Sequence, residues 1–131
     1  MTIKNIFVLD ALATVLFGVA FIAFPQQSIT LFNINPDAAH TLLAQLLGGA
    51  LIGIGMSEWF ARNATRAGSL PIVKGVLCYD VLAVIVSVQA TIAGTVNFLG
   101  WMVAGIFLFF GIARIFALLQ EPVRDKDSEK V

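Results

Sequence analysis

Charge is scarce in this sequence. Only 12% of its 131 residues are Asp, Glu, Lys or Arg, about half the share usual in soluble domains. Eight acidic and eight basic side chains give a formal net charge of zero. Seven of the sixteen lie in residues 121–130 and one is Lys4, so residues 5–120 hold the other eight. A soluble domain of this size needs a polar skin, and this chain has none to offer. A basic nucleic-acid binder and a disordered chain are excluded on the same ground. A single cysteine, Cys78, excludes a disulfide framework within the chain and a cysteine-based zinc cluster. A single histidine, His40, excludes a bis-histidine haem within one chain. There is no phosphate loop, no Ser–His–Asp set and no GxGxxG between a strand and a helix.

Apolar residues make up 59% of the chain and its mean hydropathy is +0.92. They gather in four runs, at about residues 6–24, 41–61, 72–93 and 98–119. Each is long enough to cross a hydrocarbon core of about 30 Å as a helix. The expected fold is therefore all-α: an integral membrane four-helix bundle over residues 1–120, up-down-up-down, with a charged tail at 121–131. The first run follows Lys4 as a secretory signal would. Its apolar stretch is long for that, and Ala23-Phe24-Pro25 is a poor cleavage site, so it reads as an uncleaved helix. Orientation follows from Lys and Arg. Lys4, Arg62, Arg66, Lys74, Arg114, Arg124, Lys126 and Lys130 all fall on one side of the four-run topology. Both termini and the 62–70 loop are expected in the cytoplasm.

The outer connections differ. Gly94-Thr95-Val96-Asn97 is a minimal turn. The 25–40 segment is longer, and Ser28-Ile29-Thr30-Leu31-Phe32 reads as a short interfacial helix or an extended piece. Asn35-Pro36-Asp37 reads as a helix start, with Asn35 at the cap and Pro36 in the first helical position.

The two halves resemble each other. Lys4 stands six residues before Asp10, as Lys74 does before Asp80, and Asp10-Ala11-Leu12-Ala13 matches Asp80-Val81-Leu82-Ala83. Gly49, Gly55, Glu58, Phe60 and Ala61 match Gly105, Gly111, Arg114, Phe116 and Ala117 at equal spacing. Such a repeat is parallel, about an axis along the membrane normal. It makes Asp10 and Asp80 equivalent with one charge, and Glu58 and Arg114 equivalent with opposite charges.

Ionisable groups inside a bilayer face the bundle interior or a partner. Asp10, Asp80, Arg114, Glu58 and Lys74 are therefore the candidate ion-pair or ligand-binding residues, all toward the cytoplasmic half. Arg114 is expected to pair with Asp80, Asp10 or both. Glu58 and Arg62, four apart, suit a helix-surface pair. Gly48, Gly49, Gly53, Gly55, Gly105 and Gly111 are the helix-packing candidates, with Gly49-x3-Gly53 at the spacing that lets helices approach closely. Gln45 and Gln89 are expected to hydrogen-bond across the bundle. Trp59 and Trp101 fall where interfacial belt residues sit. No metal site and no catalytic residue is read.

One stretch resembles a known group: Phe17-Gly18-x-Ala20-Phe21, Pro25, Leu31-Phe32, Leu46-Leu47-Gly48-Gly49-Ala50-Leu51-Ile52-Gly53-Ile54-Gly55 and Trp59-Phe60-Ala61-Arg62. It is similar to the DoxX-like small four-helix bacterial membrane proteins. The resemblance implies a bundle in the inner membrane and, for some members, association with quinone-linked redox complexes. It carries over no functional residue. Two functions are compatible with the residues. One is a non-enzymatic accessory or structural module that binds a membrane protein partner or a second copy of itself. The other is a transporter or binding protein for a lipid, quinone or other small apolar ligand that uses Asp10, Asp80 and Arg114. The first is favoured. No cofactor is required, with quinone or lipid the candidates, and the bilayer is the one partner the composition demands. The two functions differ in one visible respect: the second needs an aromatic cavity that ends on the Asp/Arg cluster.

Overall fold

The computed structural model describes residues 3–120. Helix α1 spans Ile3–Ala23, α2 Pro25–Leu31, α3 Ala38–Ala61, α4 Arg66–Ile92 and α5 Leu99–Gln120. Four of the five, all but α2, are long and apolar enough to cross a membrane. They run up-down-up-down, as an integral membrane helical bundle. The tail expected at 121–131, with Arg124, Lys126 and Lys130, lies outside the described residues.

Several boundaries fall earlier than the apolar runs suggest. Helix α4 starts at Arg66, not after Pro71, and takes Pro71 into its second turn. The cost is small there, because Pro71 removes a single backbone bond close to an end where donors are unpaired anyway. Thr65 caps this helix, accepting from the Gly68 amide at 3.4 Å. Helix α3 starts at Ala38, and its cap is Asp37, not Asn35. The Asp37 carboxylate accepts from the His40 amide at 2.7 Å, which holds it below the usual carboxylate range. His40 Nδ1 lies 2.9 Å from the same carboxylate.

The first part of the 25–40 segment, Pro25–Leu31, is the helix α2. Pro25 opens α2 and Ser28 Oγ donates to Ala20 O at 3.2 Å. The helix ends with Asn33 in the left-handed region at φ 65° and Ile34 N donating back to Ile29 O at 3.3 Å. Helix α4 ends the same way, with Gly94 at φ 72° and Thr95 N donating to Ala90 O at 2.9 Å. Both are Schellman turns, which consume carbonyls that lipid could not satisfy.

The bundle is two hairpins. Helix α1 packs along α3, and α4 along α5. The hairpins meet at their two ends. At the end carrying the start of α1 and the close of α5, Ile3, Ile6, Phe7, Ala61, Val73 and Ala117 form a buried apolar plug. There Arg66 Nη2 donates to Leu118 O at 2.9 Å and ties α4 to α5. At the other end Asn97 joins the turns: its Nδ2 donates to Leu31 O at 2.7 Å and its amide to Phe32 O at 3.2 Å. Asn97 Oδ1 also accepts from the Leu99 amide at 3.0 Å and starts α5.

The glycines sort by what they face. A Cβ on Gly18 would sit 2.7 Å from Gly48 O, and one on Gly48 2.6 Å from Gly18 O. A Cβ on Gly55 would sit 3.0 Å from Ala11 O and 2.8 Å from Val15 Cγ2. These three let α1 and α3 touch backbone to backbone. Gly49, Gly53 and Gly105 have open space around them, so the Gly49-x3-Gly53 pair is not the internal contact that its spacing suggests. A Cβ on Gly111 would stand at ordinary van der Waals distance, 3.6 Å, from the Asp80 side chain. Gln45 and Gln89 are exposed on outward faces, because the helix turn that carries each directs it away from the interior.

A candidate ligand site above a buried charge cluster

One polar knot lies just above the apolar plug. Arg114 on α5 is its centre. Its Nη1 donates to Asp80 Oδ2 on α4, and its Nη2 donates to Asp10 Oδ2 on α1 and, at 2.5 Å, to Glu58 Oε1 on α3. All four long helices contribute one member. Burial is almost complete: relative exposure is 1% for Arg114, 0% for Glu58, 2% for Asp80 and 7% for Asp10. The Arg114 guanidinium also lies 5.8 Å from the Phe110 ring centre. Thr14, one turn beyond Asp10, donates its hydroxyl to Asp10 Oδ1 at 3.0 Å. That leaves Glu58 Oε2 and Arg114 Nε buried without a hydrogen-bond partner.

The structure thus brings together Asp10, Asp80, Glu58 and Arg114, and leaves out Lys74, which is exposed on α4. Glu58 does not pair with Arg62. Arg62 turns back on its own helix, stacking 4.0 Å over Trp59 and donating to Trp59 O. The reason is stereochemical: α3 points Glu58 inward at the Arg114 guanidinium, and three ionic bonds to that group outweigh a solvent-side pair. Thr14 was not a candidate from sequence. Its signal was the i, i+4 spacing from Asp10, an intrahelical neighbour relation.

Above the knot the hairpins part and enclose a cavity of about 640 Å³. Asp10 and Thr14 mark its floor. Its walls carry Phe17, Phe21, Leu47, Leu51, Tyr79, Val86 and Phe107, among others. Tyr79 and Phe107 meet edge to face at 5.5 Å. Ile29, Phe32, Ile34 and His40 lie at the opposite end, beneath α2. The cavity ends on Asp10 and not on Asp80, which Gly111 and Arg114 cover. Several wall residues, Phe17 and Val86 among them, are also exposed, so the space opens sideways between the hairpins. Cys78 and Lys74 lie elsewhere, on the outer face of α4. Among the described residues no group of three or more His, Cys, Asp or Glu is arranged to hold a metal ion.

Four apolar spans, one buried charge knot and one apolar cavity define the class: a small integral membrane helical bundle built around an intramembrane ion cluster. Within that class the chain belongs to the DUF8292 family, a domain of unknown function, whose family model matches residues 1–121. Neither the curated proteins nor the solved structures contain a match.

Proposed function

We propose that this is a non-enzymatic membrane binding protein whose inter-hairpin cavity holds one small molecule with an apolar body, the class that includes lipids and quinones. The observation that carries this reading is the cavity itself. At about 640 Å³ it lies within the roughly 300–1,000 Å³ of small-molecule sites, and it joins apolar walls to a few polar groups at one end. The side opening faces where acyl chains would be, so a lipid-soluble molecule enters without crossing water. The sequence alone favours a structural or partner-binding module, because its charges can simply pair. They do pair, and the cavity lies beside them.

The basic residues at one end of the bundle support an inner-membrane setting with both termini cytoplasmic. The resemblance of residues 17–62 to the DoxX-like proteins, some members of which associate with quinone-linked redox complexes, supports the same setting. A second reading has its own observation. Gly49 and Gly53 have open space around them, a smooth strip on α3 against which a partner helix or a second copy packs closely.

Native mass spectrometry of the protein gently extracted from its own membrane tests the ligand reading. One small molecule per chain is expected, and Ala83→Phe, which fills the cavity wall, should abolish it. A bare wild-type chain would overturn the reading, and a co-purifying protein would move weight to the second.

A further inference from the structure

The knot holds three carboxylates and one guanidinium. Fully ionised, it has two more negative charges than positive ones. Such an excess is costly in apolar surroundings. It is relieved by protons on the carboxylates or by a positive guest. Arg114 already fills the centre, and the acids are not disposed to hold a metal ion. The place for a guest is therefore the cavity, whose floor is the one cluster acid that lines it, Asp10. The walls present the rings of Phe17, Phe21, Tyr79 and Phe107, and aromatic faces attract desolvated cations. Within the knot, Glu58 Oε2 is fully buried with no partner, so a proton there comes and goes without breaking an existing bond.

We propose that the cavity takes a lipophilic organic cation, a protonated amine or an onium ion on an aromatic or alkyl body, seated over Asp10 with its charge replacing one proton held by the cluster. The proposal rests on the cavity's being a ligand site. The exchange is simple: one cation enters, one proton leaves to solvent, and no bond to carbon changes. The titratable and charged groups around the guest are Asp10 from α1, Glu58 and, at the far end, His40 from α3, Tyr79 and Asp80 from α4, and Arg114 from α5.

The test is calorimetric binding to the full chain in detergent with two probes of nearly equal shape, methyltriphenylphosphonium and uncharged triphenylphosphine. The cation should bind at least tenfold more tightly, with affinity rising about tenfold per pH unit where one proton is exchanged. Heats measured in buffers of different ionisation enthalpy should report that proton. Asp10→Asn should weaken the cation at least tenfold more than it weakens triphenylphosphine. If that variant does not fold, the charge preference and proton release of the wild type decide the matter. Triphenylphosphine or a short-chain quinone bound as tightly as the cation, or cation binding with no proton release, would overturn the cation proposal while the cavity reading stands. No binding of any of the three probes would overturn both.

Discussion

In the first hairpin Gly18 and Gly48 bring α1 and α3 into backbone contact, and α2 bridges their far ends. In the second, α4 and α5 are joined by the six residues 93–98 through Gly94, and side chains stand between them: a Cβ on Gly111 would lie 3.6 Å from the Asp80 side chain, and one on Gly100 would run into the Thr91 hydroxyl. Matched positions nonetheless do matched work where the hairpins meet. Asp10 and Asp80 reach inward from the first helix of each, and Glu58 and Arg114 from the second. Had the repeat been perfect, four carboxylates or two of each sign would face one another. One reversal of sign between matched positions, Glu58 against Arg114, turns two matched pairs into a knot that a single guanidinium can hold. The first hairpin is thus held together by close backbone packing and the second by side-chain packing, and the knot joins the two. The space between them is what their unlike packing leaves.

Removing Arg114 breaks that arrangement most severely. Arg114→Gln leaves three buried carboxylates with no cation, and loss of one partner of a buried pair costs roughly 3–5 kcal/mol. Unfolding in mixed micelles should show a loss of that size, or the protein should fail to accumulate. Next comes the packing of the first hairpin. Gly48→Val forces α1 and α3 apart, where overpacking costs typically about 1–3 kcal/mol. Its neighbour Gly49→Ala enters open space and should be neutral or mildly stabilising, by at most about 1 kcal/mol from helix propensity. Thermal melts of the pair give the comparison directly, and equal losses would contradict the assigned contact.

Asn97 sharpens the comparison at the far end, since it ties the α4–α5 turn to the end of α2. Asn97→Ala removes bonds worth about 1 kcal/mol and should speed hydrogen exchange of residues 25–34 without touching the knot. The smallest effect belongs to Asp37. Its carboxyl is held below the ordinary range by the His40 amide, so its cap is fully formed above that range and is lost as pH falls through the lowered value. The protection of amides 38–41, relative to their intrinsic exchange at each pH, should fall at low pH in the wild type and be low at all pH values in Asp37→Ala.

Much of this was legible in the sequence for a physical reason. Apolar runs as long as the bilayer core admit few folds, and an isolated Arg in such a run must find an acid. That argument reaches Arg114 with Asp80 and Asp10. It does not reach Glu58, because a surface partner, Arg62, stood at the right spacing, and only the inward turn of α3 separates the two outcomes. Nor does it sort the glycines. Gly48 and Gly49 are adjacent, yet one touches backbone and the other nothing, a difference of about 100° of helix rotation that no small-residue spacing encodes. The start of α4 was hidden by Pro71, which marks a helix end only when it lies beyond the first turns. The cavity depends on how far the hairpins part, and pattern along one chain carries no such distance.

The central claim is that the matched positions of the two hairpins act as one unit, and a double-mutant cycle on Glu58→Gln in the first hairpin and Arg114→Gln in the second, which are bonded across the knot, tests it most directly. Each single variant should be strongly destabilised in micelles, and the double variant should be little worse than Arg114→Gln alone. Losses that simply add, or single variants as stable as the wild type, would contradict the account and leave the two hairpins as independent neighbours.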